Sequence, residues 1–129
     1  MSLGEIDPAF DLMTEFGKLA KHTTRHLARM RQEAIFEEGA LPARHKVLAA
    51  LLWSIASRCE PCIKFYAQRA VEHGANEHEL GEMLAVASTM GGCVGETWAL
   101  KAFKAYKDCA EGKTGTDPDP GCCATTQDA

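Results

Sequence analysis

No uninterrupted apolar run in this chain approaches the length of a membrane span, which removes a helical membrane protein from the reading. The opening Met1-Ser2-Leu3-Gly4 lacks the apolar region of an export signal, so a cytoplasmic protein is expected, and these four residues are given no structural weight. No segment alternates apolar and polar residues with period two, and no Asn-Gly or Asp-Gly hairpin turn occurs, which leaves an all-α chain. Positive charge is not in excess: 14 Lys and Arg stand against 18 Asp and Glu, a formal net charge of −4, so nothing draws the chain to nucleic acid. A second Cys-x-x-Cys is missing, as is any finger-like Cys/His spacing, so a structural zinc would lack half its ligands. Nothing calls for a cofactor either, because Trp53, Trp98 and Met90 fit helical packing stripes and are expected in the core or between subunits.

What is present suits one helical domain. Of the 129 residues, 46% are hydrophobic and 25% charged, enough for a single core over residues 1–110. From Glu111 the composition changes to Gly, Thr, Asp and Pro, so residues 111–129 read as a tail carrying the adjacent pair Cys122-Cys123. Asp7-Pro8 opens a helix, with Asp7 as its cap and Pro8 at the first helical position. Phe10, Met13, Phe16, Leu19 and Ala20 form an apolar stripe along it, continued by Leu27, Met30, Ala34 and Ile35 after a bend or break at Thr23-Thr24. The cations Lys21, Arg25, Arg29 and Arg31 lie mostly off that stripe, on a solvated or subunit-facing side. Gly39-Ala40-Leu41-Pro42 is a turn, and Val47 to Ile55 is an apolar helical run. Another helix runs through Ile63, Tyr66, Ala67, Ala70 and Val71 to Gly74; Asn76 with Glu79 caps the next, Leu80 to Met90. Gly91-Gly92 ends that helix, and a last one covers Val94 to Ala110. Five or six helices are expected.

The chemistry resides in Cys59-Glu60-Pro61-Cys62. Thiols at i and i+3 lie on the same side of a helical turn, near enough to form a disulfide or share a ligand. Proline is tolerated only in the first turn of a helix, so the pair opens the helix that follows. A thiol there meets unpaired backbone N–H groups and the positive end of the helix dipole, which favour thiolate, and Arg58 adds a cation beside it. Without an export signal, such a pair points to redox chemistry or metal binding rather than a structural bridge. Cys93, at the Gly-Gly turn, is either a resolving thiol or a small packed residue. Cys122 and Cys123 are suited to soft metals or oxidants, or to no task at all. His22 and His26 share a helix face, but the cations around them disfavour a metal.

Arg58-Cys59-Glu60-Pro61-Cys62-Ile63, the helix before it, and Gly74-Ala75 through Met90-Gly91-Gly92 resemble the AhpD-like core of the carboxymuconolactone decarboxylase superfamily. The resemblance covers about Leu41 to Tyr106. It implies an all-α bundle in which the Cys-x-x-Cys begins a packed helix, assembled as a trimer or hexamer. It also implies a redox pair: one thiolate attacks a hydroperoxide, the sulfenic acid condenses with its neighbour, and a partner protein reduces the disulfide. The superfamily's lactone decarboxylases do not depend on a cysteine pair, so the name itself implies no activity here. By analogy Cys62 would attack and Cys59 resolve, whereas the helix dipole alone favours Cys59 as the attacking thiol.

Two positions depart from the alkylhydroperoxidase pattern. Its histidine four residues after the second cysteine is Tyr66 here, and its glutamate in the preceding helix falls at Val47. Valine moves no proton, and a phenol, with a reference pKa of about 10, is a poor base near neutral pH. A phenol still donates a hydrogen bond to a thiolate or a peroxide oxygen. Glu96 is a candidate replacement acid if its turn folds back on the pair. The expectation is a cytoplasmic, homo-oligomeric dithiol protein in which Cys59, Cys62 and Tyr66 reduce a hydroperoxide or disulfide. The alternatives are a soft-metal or metalloid binder using Cys122 and Cys123 with the pair, or an inactive oligomeric family member.

Overall fold

Capping side chains set where three of the described helices begin. In the computed structural model, which describes residues 2–112, Ser2 and Glu5 form a reciprocal capping box at α1, Leu3–Ile6. Asp7 accepts from the Ala9 amide to start a 3-10 turn over Pro8–Leu12, which runs into α2, Met13–Leu19. Next come α3, Thr23–Arg31, extended by a π turn over Gln32–Phe36, and α4, Ala43–Ala56, entered from Pro42. Then follow α5, Glu60–Glu72, and α6, Glu77–Ala110, opened by the Asn76–Glu79 capping box. The described residues are all-α, with six helices.

The core lies where α4, α5 and α6 meet. Val47, Leu48, Leu51 and Ile55 from α4 pack with Ile63, Ala67 and Ala70 from α5 and Leu80, Leu84 and Ala87 from α6. Fully burying side chains of this size contributes about 1.5–3 kcal/mol each. The Tyr106 hydroxyl donates to the Ala75 carbonyl at 2.7 Å, tying the far end of α6 to the loop that precedes it. Arg44 on α4 pairs with Glu79 on α6 at 3.0 Å.

Two expectations need correction, and a third holds. The opening residues do have a part in the fold, because Leu3 and Ile6 are buried against the core. The bend in the N-terminal helical stretch falls two residues early, at Lys21 and His22, both left-handed with φ of 54° and 63°. Thr23 then restarts the helix, its hydroxyl donating to the Ala20 carbonyl. The break expected at Gly91-Gly92 is present: two helical stretches of α6 meet at a kink at Gly92, whose φ of 61° and ψ of −144° suit glycine alone.

Candidate functional site

The route from α4 to α5 places the two thiols. Arg58 turns the chain with a left-handed φ of 54°, and the Cys59 amide donates to the Ser54 carbonyl at 3.1 Å. Cys59 is thereby left extended as the cap of α5, with Pro61 in the first turn and Cys62 one turn on. The two cysteines form a disulfide, with Cα atoms 5.2 Å apart. The Cys62 amide donates to Cys59 Sγ at 3.3 Å. In the dithiol state that amide and the helix N-terminus favour Cys59 as thiolate. Both cysteines are half-buried.

Cys62, and not Cys59, lines a cavity of about 200 Å³. Its walls are Leu3 from α1, Phe10 from the 3-10 turn, Met13 at the start of α2, Arg31 at the end of α3, and Pro61, Phe65 and Tyr66 on α5. Tyr66 stands one turn after Cys62, so both face the same space, and its ring meets Phe65 edge-on at 4.9 Å. The Arg31 guanidinium sits 5.8 Å from the centre of the Phe65 ring. The structure thus brings Cys62 and Tyr66 together, with Cys59 bonded behind. Arg31, expected on a solvated or subunit-facing side, is half-buried at the wall of this pocket. A signal was present, because position 31 is i+4 from Leu27 and i−4 from Ile35 and so shares their stripe.

The other candidates lie elsewhere. Glu96 is exposed and lines a groove with Leu84, Leu100 and Phe103, so the expected replacement acid does not reach the pocket of the pair. Val47, where the family pattern has its glutamate, is fully buried in the core and does not line the pocket either. Arg58 faces a separate apolar cavity of about 470 Å³ with Leu52, Ile55, Met90 and Trp98. Cys93 is exposed beside the kink of α6. The half-buried Cys109 thiol is pushed up by burial and by the charge of Glu72. His26 lines a surface cleft with Arg25, Arg29, Glu33 and Glu37. His73 stacks on Phe36 at 5.4 Å and is held below the ordinary histidine range, first by burial and then by the Arg69 charge. Among the described residues no group of three or more His, Cys, Asp or Glu side chains is placed to hold a metal ion. Cys122 and Cys123, on which the metalloid alternative rests, lie outside the described residues. No described helix is long and apolar enough to cross a membrane.

Comparison with known proteins places this geometry among relatives. The model of the carboxymuconolactone decarboxylase family matches residues 22–105. An uncharacterised protein of Cupriavidus necator is 31% identical over 100 residues, covering 76% of this chain and 88% of the relative. The apo crystal structure of a carboxymuconolactone decarboxylase family protein from Legionella pneumophila superposes with a TM-score of 0.75 at 27% identity, over 82% of this chain and 94% of that one.

Proposed function

The chain belongs to the carboxymuconolactone decarboxylase family, and from that premise we propose that it is an AhpD-like thiol–disulfide protein that reduces small hydroperoxides or disulfides. One observation carries the reading: two sulfurs are bonded in the first turn of α5, one of them on the wall of an apolar pocket of small-molecule size.

The steps follow from the positions. In the reduced protein the Cys62 thiolate attacks the terminal oxygen of a hydroperoxide. The O–O bond breaks, Cys62 becomes a sulfenic acid, and the departing alkoxide takes a proton and leaves as alcohol. The Cys59 sulfur then attacks Cys62, the hydroxyl leaves with a proton as water, and the S–S bond forms. Two thiols and one hydroperoxide thus yield one disulfide, one alcohol and one water. A partner dithiol protein restores the pair by exchange and is itself oxidised. The amide of Cys62, 3.3 Å from Cys59 Sγ, supports Cys59 as a thiolate in the condensation and in the exchange. Tyr66 donates a hydrogen bond to the leaving oxygen. With valine and tyrosine where the alkylhydroperoxidase pattern has glutamate and histidine, turnover lacks acid–base help commonly worth about a hundredfold or more.

Re-reduction by a partner requires a reducing compartment, which fits the cytoplasm. The described residues leave large apolar side chains in water, among them Trp53 at 76% exposed and Met90 at 83%. Covering them is the basis for proposing a homo-oligomer, a trimer or hexamer.

The test is catalytic consumption of a hydroperoxide, or of a small disulfide, by the protein with dithiothreitol as reductant. Consumption is expected to disappear in both Cys59→Ser and Cys62→Ser. Wild-type rates in the two variants would contradict the assignment.

A further inference from the structure

The pocket beside the pair contains one charged side chain, supplied by a helix that the thiol chemistry itself does not require. Of the eight residues around it, Leu3, Phe10, Met13, Pro61 and Phe65 are apolar. Besides Cys62, the polar groups are the Tyr66 hydroxyl and the Arg31 guanidinium. Two cations stand over the Phe65 ring, Arg31 at 5.8 Å and Arg69 at 5.0 Å, and they differ in company. Arg69 has Glu72 at 3.4 Å. Arg31 has no carboxylate within ion-pair distance among the described residues, although it is half-buried at the pocket wall.

We propose that Arg31 makes this pocket selective for organic hydroperoxides that carry a carboxylate, binding the anion while the peroxide end meets Cys62. The apolar walls leave the half-buried cation less screened than the same group on an open surface, so it attracts an anion more strongly. A guanidinium presents a planar fork that matches a carboxylate with two parallel hydrogen bonds, and the Phe65 ring, 5.8 Å away, attracts the cation to the pocket wall. The volume, about 200 Å³, is below the roughly 300–1,000 Å³ usual for drug-sized ligands. The substrate is therefore short, with acid and peroxide separated by a few carbons rather than by a long chain. This assignment rests on the dithiol reading for the chemistry done in the pocket, but its test does not depend on turnover.

The test compares two alkylating reagents of nearly equal shape, iodoacetate with its carboxylate and neutral iodoacetamide. In each case the Cys62 thiolate displaces iodide, and peptide-resolved mass spectrometry of the reduced full chain reads the rate at Cys62. The iodoacetate-to-iodoacetamide rate ratio is expected to fall by about tenfold in Arg31→Gln, as loss of a charge-assisted contact implies. Arg31→Lys should retain most of the ratio, and Arg29→Gln, whose parent side chain lines a different cleft, should leave it in place. If the two rates fall together in Arg31→Gln so that their ratio stands, Arg31 only supports the thiolate and the proposal is overturned. It is equally overturned if Arg29→Gln lowers the ratio as much, since general surface charge is then the cause. A protein that consumes no hydroperoxide but shows the Arg31-dependent ratio has lost the redox reading and kept the anion site, so the two failures are told apart.

Discussion

Tyr66 stands where the proton-handling histidine of related alkylhydroperoxidases would stand, one turn after Cys62 on the same pocket wall. Replacing it by histidine returns a group that titrates near neutral pH to within reach of the departing oxygen. Tyr66→His is therefore expected to raise the initial rate of hydroperoxide consumption, toward the roughly hundredfold that positioned acid–base help supplies. A rate equal to or below wild type, in a variant with unchanged helical content, would show that proton transfer does not limit the reaction. At this scale the motif residues were legible because a short-range rule governs them: i, i+3 and i+4 share a helix face. Arg31 was not read as part of the site: its place between Leu27 and Ile35 marked it as sharing their stripe, but only tertiary packing brings it to Phe65 on α5. The same packing excluded Glu96, whose helix points it into a groove away from the pair.

The helix that closes the bundle shows how a single element stores its shape in small residues. Gly95 lies one turn past the kink and faces the Ala87 carbonyl so closely that a Cβ would strike backbone. Gly81, in the straight part of the same helix, has nothing within 4 Å of such a Cβ. Gly95→Ala should thus destabilise the protein by about 1–3 kcal/mol through forced backbone shifts. Gly81→Ala should be neutral or stabilising by up to about 1 kcal/mol, since alanine loses less chain entropy on forming helix. Urea midpoints of the two variants check both; equal shifts would mean that the bend at Gly92 does not depend on this close approach. Element starts were legible from Asp, Asn and Pro, as at Asp7, Pro42, Asn76 and Pro61 beside the cysteine cap. Element ends were legible where glycine marks them, as at Gly91-Gly92, and less so at Lys21 and His22, whose left-handed turn carries no glycine. The short α1 went unread for a different reason: four residues leave too little pattern for a period to show.

Across the molecule, the apolar stripe expected on the N-terminal helices does not all turn inward. Phe16 and Leu19 on α2 and Met30 on α3 are exposed, as are Trp53 on α4 and Met90, Leu100 and Phe103 on α6. Periodicity marks an apolar face but does not say whether the face meets the chain's own core or another subunit. A homo-oligomer follows if these faces are covered, and light scattering on a size-exclusion column should read a mass several times the 14.0 kDa of one chain. A single-chain mass at micromolar concentration would remove that assembly while leaving the bundle intact. Whether the protein is a redox protein at all turns on the pair that opens α5. Fully reduced protein should therefore be mixed with one equivalent of hydroperoxide, its free thiols counted before and after, and its linked peptides identified by mass spectrometry. The account predicts the loss of two thiols per chain and a peptide bridged between Cys59 and Cys62. Retention of both thiols while oxidation falls on Cys93, Cys109, Cys122 or Cys123 would contradict it.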